Sequence, residues 1–256
     1  MSLEWSFSLL LALLLVVARA AAFLTIAPPF ASRFVPMRVR MALAFALSLP
    51  VAPQLVPKVP EPELWAVAGA VLFQVVSGVV LGFITLVLFS AIQAAGELID
   101  LFSLFSMASL LDPISNTPSS MFGRIHQVVA TTLLFASGGH LLIVRGFLSS
   151  FEAMPVRPPD LGQLAQMMIS NLGRMVVAAL EIAGPVIVVL FCTDVALGLV
   201  SRAVPSLNIF QLSFPVKTIV TVSLAALAIA LLPAALSVTV DRIVTQFQPA
   251  ARLLGG

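Results

Sequence analysis

The stretch LWAVAGAVLFQVVSGVVLGFITLVLFSAIQAAG, residues 64–96, decides the fold class because it contains no charged side chain. As one α-helix it would be roughly 50 Å long, whereas the hydrocarbon core of a bilayer is about 30 Å thick. We therefore expect the segment to tilt, to break, or to stand partly outside the membrane against other protein. Gly78 and Gly82 lie four residues apart, a spacing that lets a second helix approach closely. We predict that this face packs against a subunit; the alternative is a chance spacing.

Composition excludes a soluble globular domain. Apolar residue types make up 60% of the 256 residues and charged types 9%, whereas soluble domains contain about 45–50% and about 25% respectively. There is too little charge to cover a water-facing surface, so most of the chain should contact lipid or other apolar protein. The net charge of +2 comes from scattered Lys and Arg residues, which form no clustered basic face for nucleic acid.

Six apolar segments are separated by polar or proline-rich links. This pattern predicts an all-α integral membrane protein whose six or so helical segments form bent hairpins. Pro50 and Pro53 should break the second segment because proline lacks an amide donor. Asp160 is expected to begin a short amphipathic helix over residues 160–172. The six segments cover residues 5–31, 41–56, 64–96, 125–144, 175–200 and 218–240.

The first apolar segment is expected to be retained as a membrane helix. Residues 1–4 include Glu4 and no Lys or Arg, whereas a cleaved signal begins with positive charge. Arg19 within that segment should then face protein rather than lipid. Cys192 also lies in an apolar run, so we predict a buried, inert thiol that forms neither a disulfide nor part of a cysteine metal site.

Residues 97–124 break the apolar pattern. Ser, Pro and Asn are frequent over residues 106–120 and favour turns, yet large apolar side chains in the same region need burial. An apolar constriction in a pore would bury them and would gate by excluding water. The alternative is a re-entrant or interfacial linker that only packs.

Four acidic residues lie in or beside apolar runs, where a charge is costly. Glu97 and Asp100 are three residues apart and therefore share one helix face. We expect these two, with Arg124, to make polar contacts to neighbouring subunits; a polar ring outside the bilayer and a proton relay are the alternatives. The four acids are Glu97, Asp100, Glu181 and Asp194.

No catalytic constellation is visible. His126 and His140 have no carboxylate or cysteine at metal-ligand spacing, so we predict that both are packing or helix-end residues. Phosphate-binding glycine loops and nucleophile elbows are also missing from the sequence. We therefore predict no catalytic residue, no metal, no cofactor and no enzyme activity.

Five motifs together resemble the FliR family, the flagellar export-gate proteins of type III secretion. They occur in order over nearly the whole chain, and the second and the last are the most specific. The motifs are Ala27-Pro28-Pro29-Phe30, Val35-Pro36-Met37-Arg38-Val39-Arg40, Leu111-Asp112-Pro113, Gly138-Gly139-His140-Leu141-Leu142-Ile143, and Pro205-Ser206-Leu207-Asn208-Ile209-Phe210.

The resemblance implies a fold, partners and a location. A FliP-like helical part should cover residues 1–174 and include a plug loop at 106–122, and a FliQ-like helical hairpin with a C-terminal tail should cover 175–256. Such chains join FliP and FliQ family subunits, with an FlhB family subunit as a further partner. The assembly forms the entry channel for unfolded export substrates in the bacterial inner membrane, at the flagellar basal body, in contact with lipid.

The resemblance also implies which residues close the pore, because in this family a loop of the FliR subunit plugs the closed channel. We predict plug or gate contacts for five apolar side chains of the matching stretch. They are Met107, Leu110, Leu111, Met121 and Phe122.

Three other functions compete with a flagellar gate subunit. The homologous subunit of a virulence injectisome is hard to separate by sequence. A secondary transporter would share the broken helices but is expected to show inverted repeats, and no repeat is visible. A membrane-embedded enzyme is disfavoured because the apolar segments lack clustered polar residues. A transporter can be purified alone, whereas a gate subunit should be unstable without its partners.

Overall fold

A computed structural model describes residues 3–32, 35–61, 63–105, 120–152, 161–206 and 208–254, and every regular element within these ranges is helical. The predicted all-α fold is therefore confirmed. In chain order the elements are α1 (Leu3–Ile26), α2 (Met37–Ser48), α3 (Ala52–Leu55) with the 3-10 turn Val56–Lys58, α4 (Leu64–Phe102), α5 (Met121–Ala136), α6 (Gly139–Ser149), α7 (Leu161–Ala203) and α8 (Ile209–Leu253).

Four of the described helices are long and apolar enough to cross a membrane, namely α1, α4, α7 and α8. Two bent pairs, α2 with α3 and α5 with α6, raise the number to six if each pair forms one span. This range agrees with the six apolar segments of the sequence. The chain is thus built as a multi-pass membrane protein.

Proline and glycine set the two bends. Helices α2 and α3 meet at 59°, with Pro50 in the turn and Pro53 in the first turn of α3, as predicted. A break at Ser137 and Gly138 separates α5 from α6, so the single segment expected over residues 125–144 is in fact two helices. Gly138 ends α5 with a φ of +74°, a left-handed conformation that glycine adopts without steric cost.

Two helices are longer than the apolar pattern predicted. Helix α4 runs unbroken for 39 residues and continues past Gly96 to Phe102. Helix α7 runs for 43 residues, so the prediction of a short amphipathic helix followed by a separate span was wrong. Gly173 and Arg174 lie within α7 and do not end it, because one glycine weakens a helix by only about 1 kcal/mol and no proline stands there.

The chain folds into two compact units that are interleaved in sequence. Unit 1 comprises the described parts of Met1–Leu88, His140–Asn171 and Asp241–Gly256, and unit 2 those of Phe89–Gly139 and Leu172–Val240. The predicted boundary between a FliP-like part and a FliQ-like hairpin after residue 174 stays a prediction.

Aromatic stacking and one buried arginine organise unit 1. The Phe23 ring stacks on Phe147 with centroids 4.3 Å apart and meets Phe247 edge-on at 6.1 Å. Arg19 is 3% exposed; its Nε donates to Gln74 Oε1 at 2.6 Å, and its Nη1 donates to the Ser150 carbonyl at 3.2 Å. Arg19 therefore faces protein, as the sequence predicted.

Small residues allow four helices to pack closely in unit 2. Ala95 and Ile99 of α4 and Phe122 of α5 are buried against α7, and Ala228 of α8 completes the cluster. The α7 residues are Ala179, Ala183, Val186 and Leu190. This cluster supports the end of α4 and the start of α5, where the candidate site lies.

Candidate functional site

The predicted plug residues Met107, Leu110 and Leu111 lie outside the described residues. The structure describes both flanks of that stretch, residues 96–105 and 120–126, which belong to unit 2. We call these two flanks the α4–α5 junction. Its geometry defines where the chain leaves α4 and where it returns to begin α5.

Asp100 joins the two sides of the junction. It lies in the last turn of α4, is 3% exposed, and its Oδ2 accepts hydrogen bonds from the backbone N–H of Phe122 at 2.9 Å and of Gly123 at 3.4 Å. The Ser120 hydroxyl also donates to Oδ2. The first N–H groups of a helix lack intrahelical partners and carry partial positive charge, so a carboxylate stabilises the start of α5.

Ser120 is itself the N-cap of α5, because its Oγ accepts from the backbone N–H of Gly123 at 2.9 Å. A serine before an apolar helix is a recognised start signal, so this cap was readable from the sequence. The contact to Asp100 was not readable, because it joins residues 20 positions apart.

Two glycines permit the close approach of α4 and α5. A Cβ atom on Gly96 would lie 2.5 Å from the Phe122 carbonyl oxygen and 2.7 Å from the Gly123 Cα. A Cβ atom on Gly123 would lie 2.8 Å from Glu97 Cγ. Sequence reasoning singled out neither glycine for packing, because the two belong to different helices and form no local motif.

Met121 and Phe122 have opposite environments. Met121 is 55% exposed, whereas Phe122 is 5% exposed within the hydrophobic cluster of unit 2. The Phe105 ring meets Phe122 edge-on, with centroids 5.6 Å apart. Met121 is therefore the plug candidate that presents its side chain outward, and Phe122 has a core position in this chain.

Glu97 and Arg124 are exposed on the surface of unit 2. Glu97 Oε1 accepts a hydrogen bond from Gln93 Nε2 at 2.9 Å, one turn earlier on α4. Contacts of Glu97 and Arg124 to neighbouring subunits stay a prediction. Asp100 was predicted with them to contact neighbouring subunits. Its Oδ2 instead accepts hydrogen bonds from its own chain.

Lys217 of α8 reaches the end of α4. It is 5% exposed; its Nζ donates to the backbone carbonyl of Phe102 at 3.1 Å and pairs with both carboxylate oxygens of Asp194, at 2.7 and 2.8 Å. The sequence marked Asp194 as an acid in an apolar run and left its partner open. The partner stands 23 residues later, on the far side of the α7–α8 turn.

The backbone beyond Phe102 turns sharply. Leu104 has a φ of +68°, a left-handed conformation that costs a non-glycine residue of order 1–3 kcal/mol. Ser103 is fully buried, and its Oγ donates to the Asp100 carbonyl at 3.2 Å. Phe105 follows, with its ring centroid 6.5 Å from that of Phe214 on α8. Packing on both sides of Leu104 offsets the strain.

His126 is fully buried in α5, and its Nδ1 lies 2.8 Å from the carbonyl oxygen of Phe122. Because that oxygen only accepts, Nδ1 carries the proton. The side chain is a packing residue, as predicted. His140 is half-buried in the first turn of α6. Within the described ranges, no three His, Cys, Asp or Glu side chains are grouped closely enough to bind a metal ion.

Gly78 and Gly82 face α1 of the same chain in unit 1. A Cβ atom on Gly78 would lie 2.9 Å from Ala22 Cβ and even closer to the Arg19 carbonyl oxygen, and one on Gly82 would lie 3.1 Å from Ile26 Cβ. The spacing serves a close helix approach, whereas the sequence predicted packing of this face against another subunit. In this structure the approaching helix belongs to the same chain.

Helices α7 and α8 leave most of their apolar surface uncovered by this chain. In the most apolar 18-residue stretch of each helix, 28% of the residues are buried in α7 and 22% in α8, against 61% in α4. Exposed α7 side chains include Val188 at 60% and Phe191 at 60%. Cys192 is exposed as well, so the prediction of a buried thiol was wrong. An apolar run on a helix can face outward when lipid or another subunit covers it.

Comparison with known proteins gives one family. The sequence pattern described as "Bacterial export proteins, family 1" matches residues 10–243. The flagellar biosynthetic protein FliR of Escherichia coli K12 is 32% identical over 210 residues, covering 81% of this chain and 80% of the relative. FliR of Bacillus subtilis 168 is 31% identical, covering 82% and 83%. The Yop proteins translocation protein T of Yersinia pestis is 28% identical over 57% of each chain.

Proposed function

The chain belongs to the family of bacterial export proteins matched over residues 10–243, and on this premise we propose that it is a membrane subunit of the flagellar type III protein export gate. In this role it forms part of the entry channel through which unfolded substrates cross the bacterial inner membrane. The observation that carries the proposal is its similarity to flagellar relatives over about four-fifths of its length.

The proposed partners are subunits of the FliP and FliQ families, with an FlhB family subunit as a further neighbour. Support comes from the uncovered apolar faces of α7 and α8, since Val188 and Phe191 are 60% exposed in the chain alone. Lipid alone would cover apolar side chains, but Asp194 lies on the same helix with its side chain 44% exposed. A carboxylate in hydrocarbon is costly, so protein or channel water is the better neighbour for that part of α7.

We further propose that residues 106–122 contribute the closed-state plug, with Met107, Leu110, Leu111 and Met121 as apolar contacts and Phe122 as the anchor that packs the stretch onto its own chain. The α4–α5 junction supports this division. Asp100 holds the start of α5 through two backbone N–H groups, and Met121 points outward next to the buried Phe122. A stretch with fixed ends can present apolar side chains at a defined place.

Co-expression tests the subunit role. The chain should be recovered as a stable complex when FliP and FliQ family subunits are co-expressed, and in low, aggregated yield without them. Complementation then separates the two secretion systems: we expect restored motility in a strain lacking its flagellar relative and no restored secretion in one lacking the injectisome relative. A monodisperse monomer that transports a small solute in vesicles would refute the gate assignment.

Replacement of the plug stretch tests the gating role. Residues 106–119 are exchanged for a Gly/Ser linker of equal length, and Ser120 is kept because it caps α5. We expect assembled complexes to leak ions in the absence of substrate. The matched control exchanges only the Ser, Pro and Asn residues of the stretch for Gly and Ser and keeps its apolar side chains, and it should stay sealed. A sealed linker variant would contradict the plug.

A further inference from the structure

We propose that Lys217 is a positioning residue that fixes the C-terminal end of helix α4 against helix α8, and that it acts through the backbone carbonyl of Phe102 rather than through its ion pair alone. The placement of α4 stands on the geometry of unit 2. Only the use of the assembled complex in the test rests on the proposed function.

The geometry places a cation at a helix C-terminus. Phe102 is the last residue of α4, and its carbonyl oxygen lies 3.1 Å from Lys217 Nζ. The last carbonyls of a helix lack intrahelical donors and carry partial negative charge. An ammonium group, which offers three donors, satisfies the Phe102 carbonyl and still reaches Asp194 at 2.7 and 2.8 Å.

Opposite charges therefore hold the two sides of the α4–α5 junction. Lys217 serves the carbonyl end of α4, and Asp100 serves the N–H end of α5. Each charge matches the sign that the helix dipole favours at that end. Each also comes from a different helix, so each contact ties a helix end to a neighbour rather than only capping it.

A second contact from the same face of α8 reinforces the first. Phe214 lies three residues before Lys217, so the two side chains share one helix face. The Phe105 ring is 6.5 Å from Phe214 and 5.6 Å from Phe122. Helix α8 thus contacts the chain at Phe102 and again at Phe105, on both sides of the left-handed Leu104.

The two partners of Lys217 are not equivalent. The Lys217 side chain is 7% exposed and that of Asp194 is 44% exposed. Water can reach Asp194 and can replace part of the stabilisation that the ion pair gives to this carboxylate. The Phe102 carbonyl belongs to the backbone at the end of α4, whereas the Asp194 carboxylate lies on α7, so loss of Lys217 should disturb the end of α4 more than loss of Asp194 does.

The test measures the accessibility of the residue that follows α4. In a Cys192→Ser background, the Ser103→Cys variant places a thiol at a fully buried position, and the complex with its partner subunits is treated with a maleimide in membranes. A matched reporter, Ser77→Cys, lies at a 1% exposed position within α4. Both thiols should be protected when Lys217 is intact.

Four changes at the pair give distinct expectations. Lys217→Met should raise labelling at position 103 at least fivefold without changing labelling at position 77, and Lys217→Arg should keep position 103 protected. Asp194→Asn should raise labelling less than Lys217→Met. The exchange of Lys217→Asp with Asp194→Lys should remain labelled, because it restores an ion pair but sets a carboxylate against the Phe102 carbonyl.

Three outcomes would overturn the proposal. Protection at position 103 in Lys217→Met would show that the contact positions nothing. Restored protection in the exchanged pair would assign the whole effect to the ion pair. Labelling at both reporters would indicate general unfolding. These readouts do not use ion leakage. A complex with residues 106–119 replaced by a linker that stays sealed would therefore contradict the proposed plug, but it would not contradict the placement of α4 by Lys217.

Discussion

Asp100 in the last turn of α4 accepts a hydrogen bond from the backbone N–H of Phe122, at 2.9 Å, and so connects two helices across 22 residues of sequence. The stretch between them includes most of the proposed plug. Because this carboxylate is buried and charge-assisted hydrogen bonds are the strong ones, the end of one helix depends on the start of the other.

Removal of the Asp100 carboxylate should therefore loosen the start of α5. Asp100→Ala leaves the Phe122 N–H without its acceptor and leaves the Gly123 N–H with Ser120 Oγ alone, a loss of about 2–3 kcal/mol for hydrogen bonds to a charged group. We expect a lower dissociation temperature of the purified complex and faster proteolysis between residues 105 and 121. Glu97→Ala, an exposed acid one turn earlier on α4, is the control for the proteolysis and should leave its rate unchanged.

The close approach of α4 and α5 predicts a strong position dependence for glycine replacement. Gly96→Ala sets a methyl group against the Phe122 backbone and should cost about 1–3 kcal/mol or more. Gly69→Ala, on the same helix with no atom within 4 Å, should be neutral or stabilise by up to about 1 kcal/mol. Complex yield and thermal midpoint measure both; equal effects would contradict the packing described.

Phe122 and Met121 should separate stability from gating. Phe122→Ala removes a buried ring and should destabilise by about 3–5 kcal/mol. Met121→Ala affects an exposed side chain and should stay within about 0.5 kcal/mol of the parent, while it raises ion leakage through the closed complex. Thermal unfolding and vesicle leakage are the measurements. A Met121→Ala complex that stays sealed would show that Met121 is not part of the plug.

Arg19 should be sensitive even to lysine. Its guanidinium donates in two directions, to Gln74 and to the Ser150 carbonyl, which a single ammonium group on a flexible stem reproduces poorly. Arg19→Ala should cost about 2–3 kcal/mol because buried acceptors lose a charged donor, and Arg19→Lys should recover only part of that. Arg38→Ala, at an exposed position, is the control. Thermal midpoints of the four proteins decide the order.

Cys192 offers a direct report on subunit contacts, because it is the one cysteine and is exposed in the chain alone. A membrane-permeant maleimide should label it in the separately expressed chain. Assembly with the partner subunits should slow labelling at least tenfold if they cover this face of α7, and Cys192→Ser should give no signal. Unchanged labelling after assembly would place the partners on another face.

Local features of the sequence predicted the elements well. Pro50 and Pro53 marked the bend between α2 and α3, and the charge-free run over residues 64–96 predicted the long α4. Failures occurred where a local signal was over-interpreted. The short helix expected over residues 160–172 and the apolar segment expected over 175–200 are one helix, α7, while the Gly138 break between α5 and α6 was overlooked.

In the candidate site, too, some features were predicted from the sequence and others were revealed only by the structure. The spacing of Gly78 and Gly82 predicted a close helix approach, and only the structure identified α1 as the helix that approaches. Nothing near Gly96 in the sequence indicates that it needs to lack a side chain, because the clashing atoms belong to Phe122 and Gly123 on another helix.

By itself the sequence determined that this protein is helical, apolar, bent at proline and a relative of export proteins, since helix formation depends on neighbours within four residues and transfer to lipid depends on each side chain in turn. Only the tertiary structure decided that Asp100 holds the start of α5 and that Lys217 holds the end of α4. Such contacts depend on distances between helices far apart in the chain, and these distances are set by the packing of the whole unit.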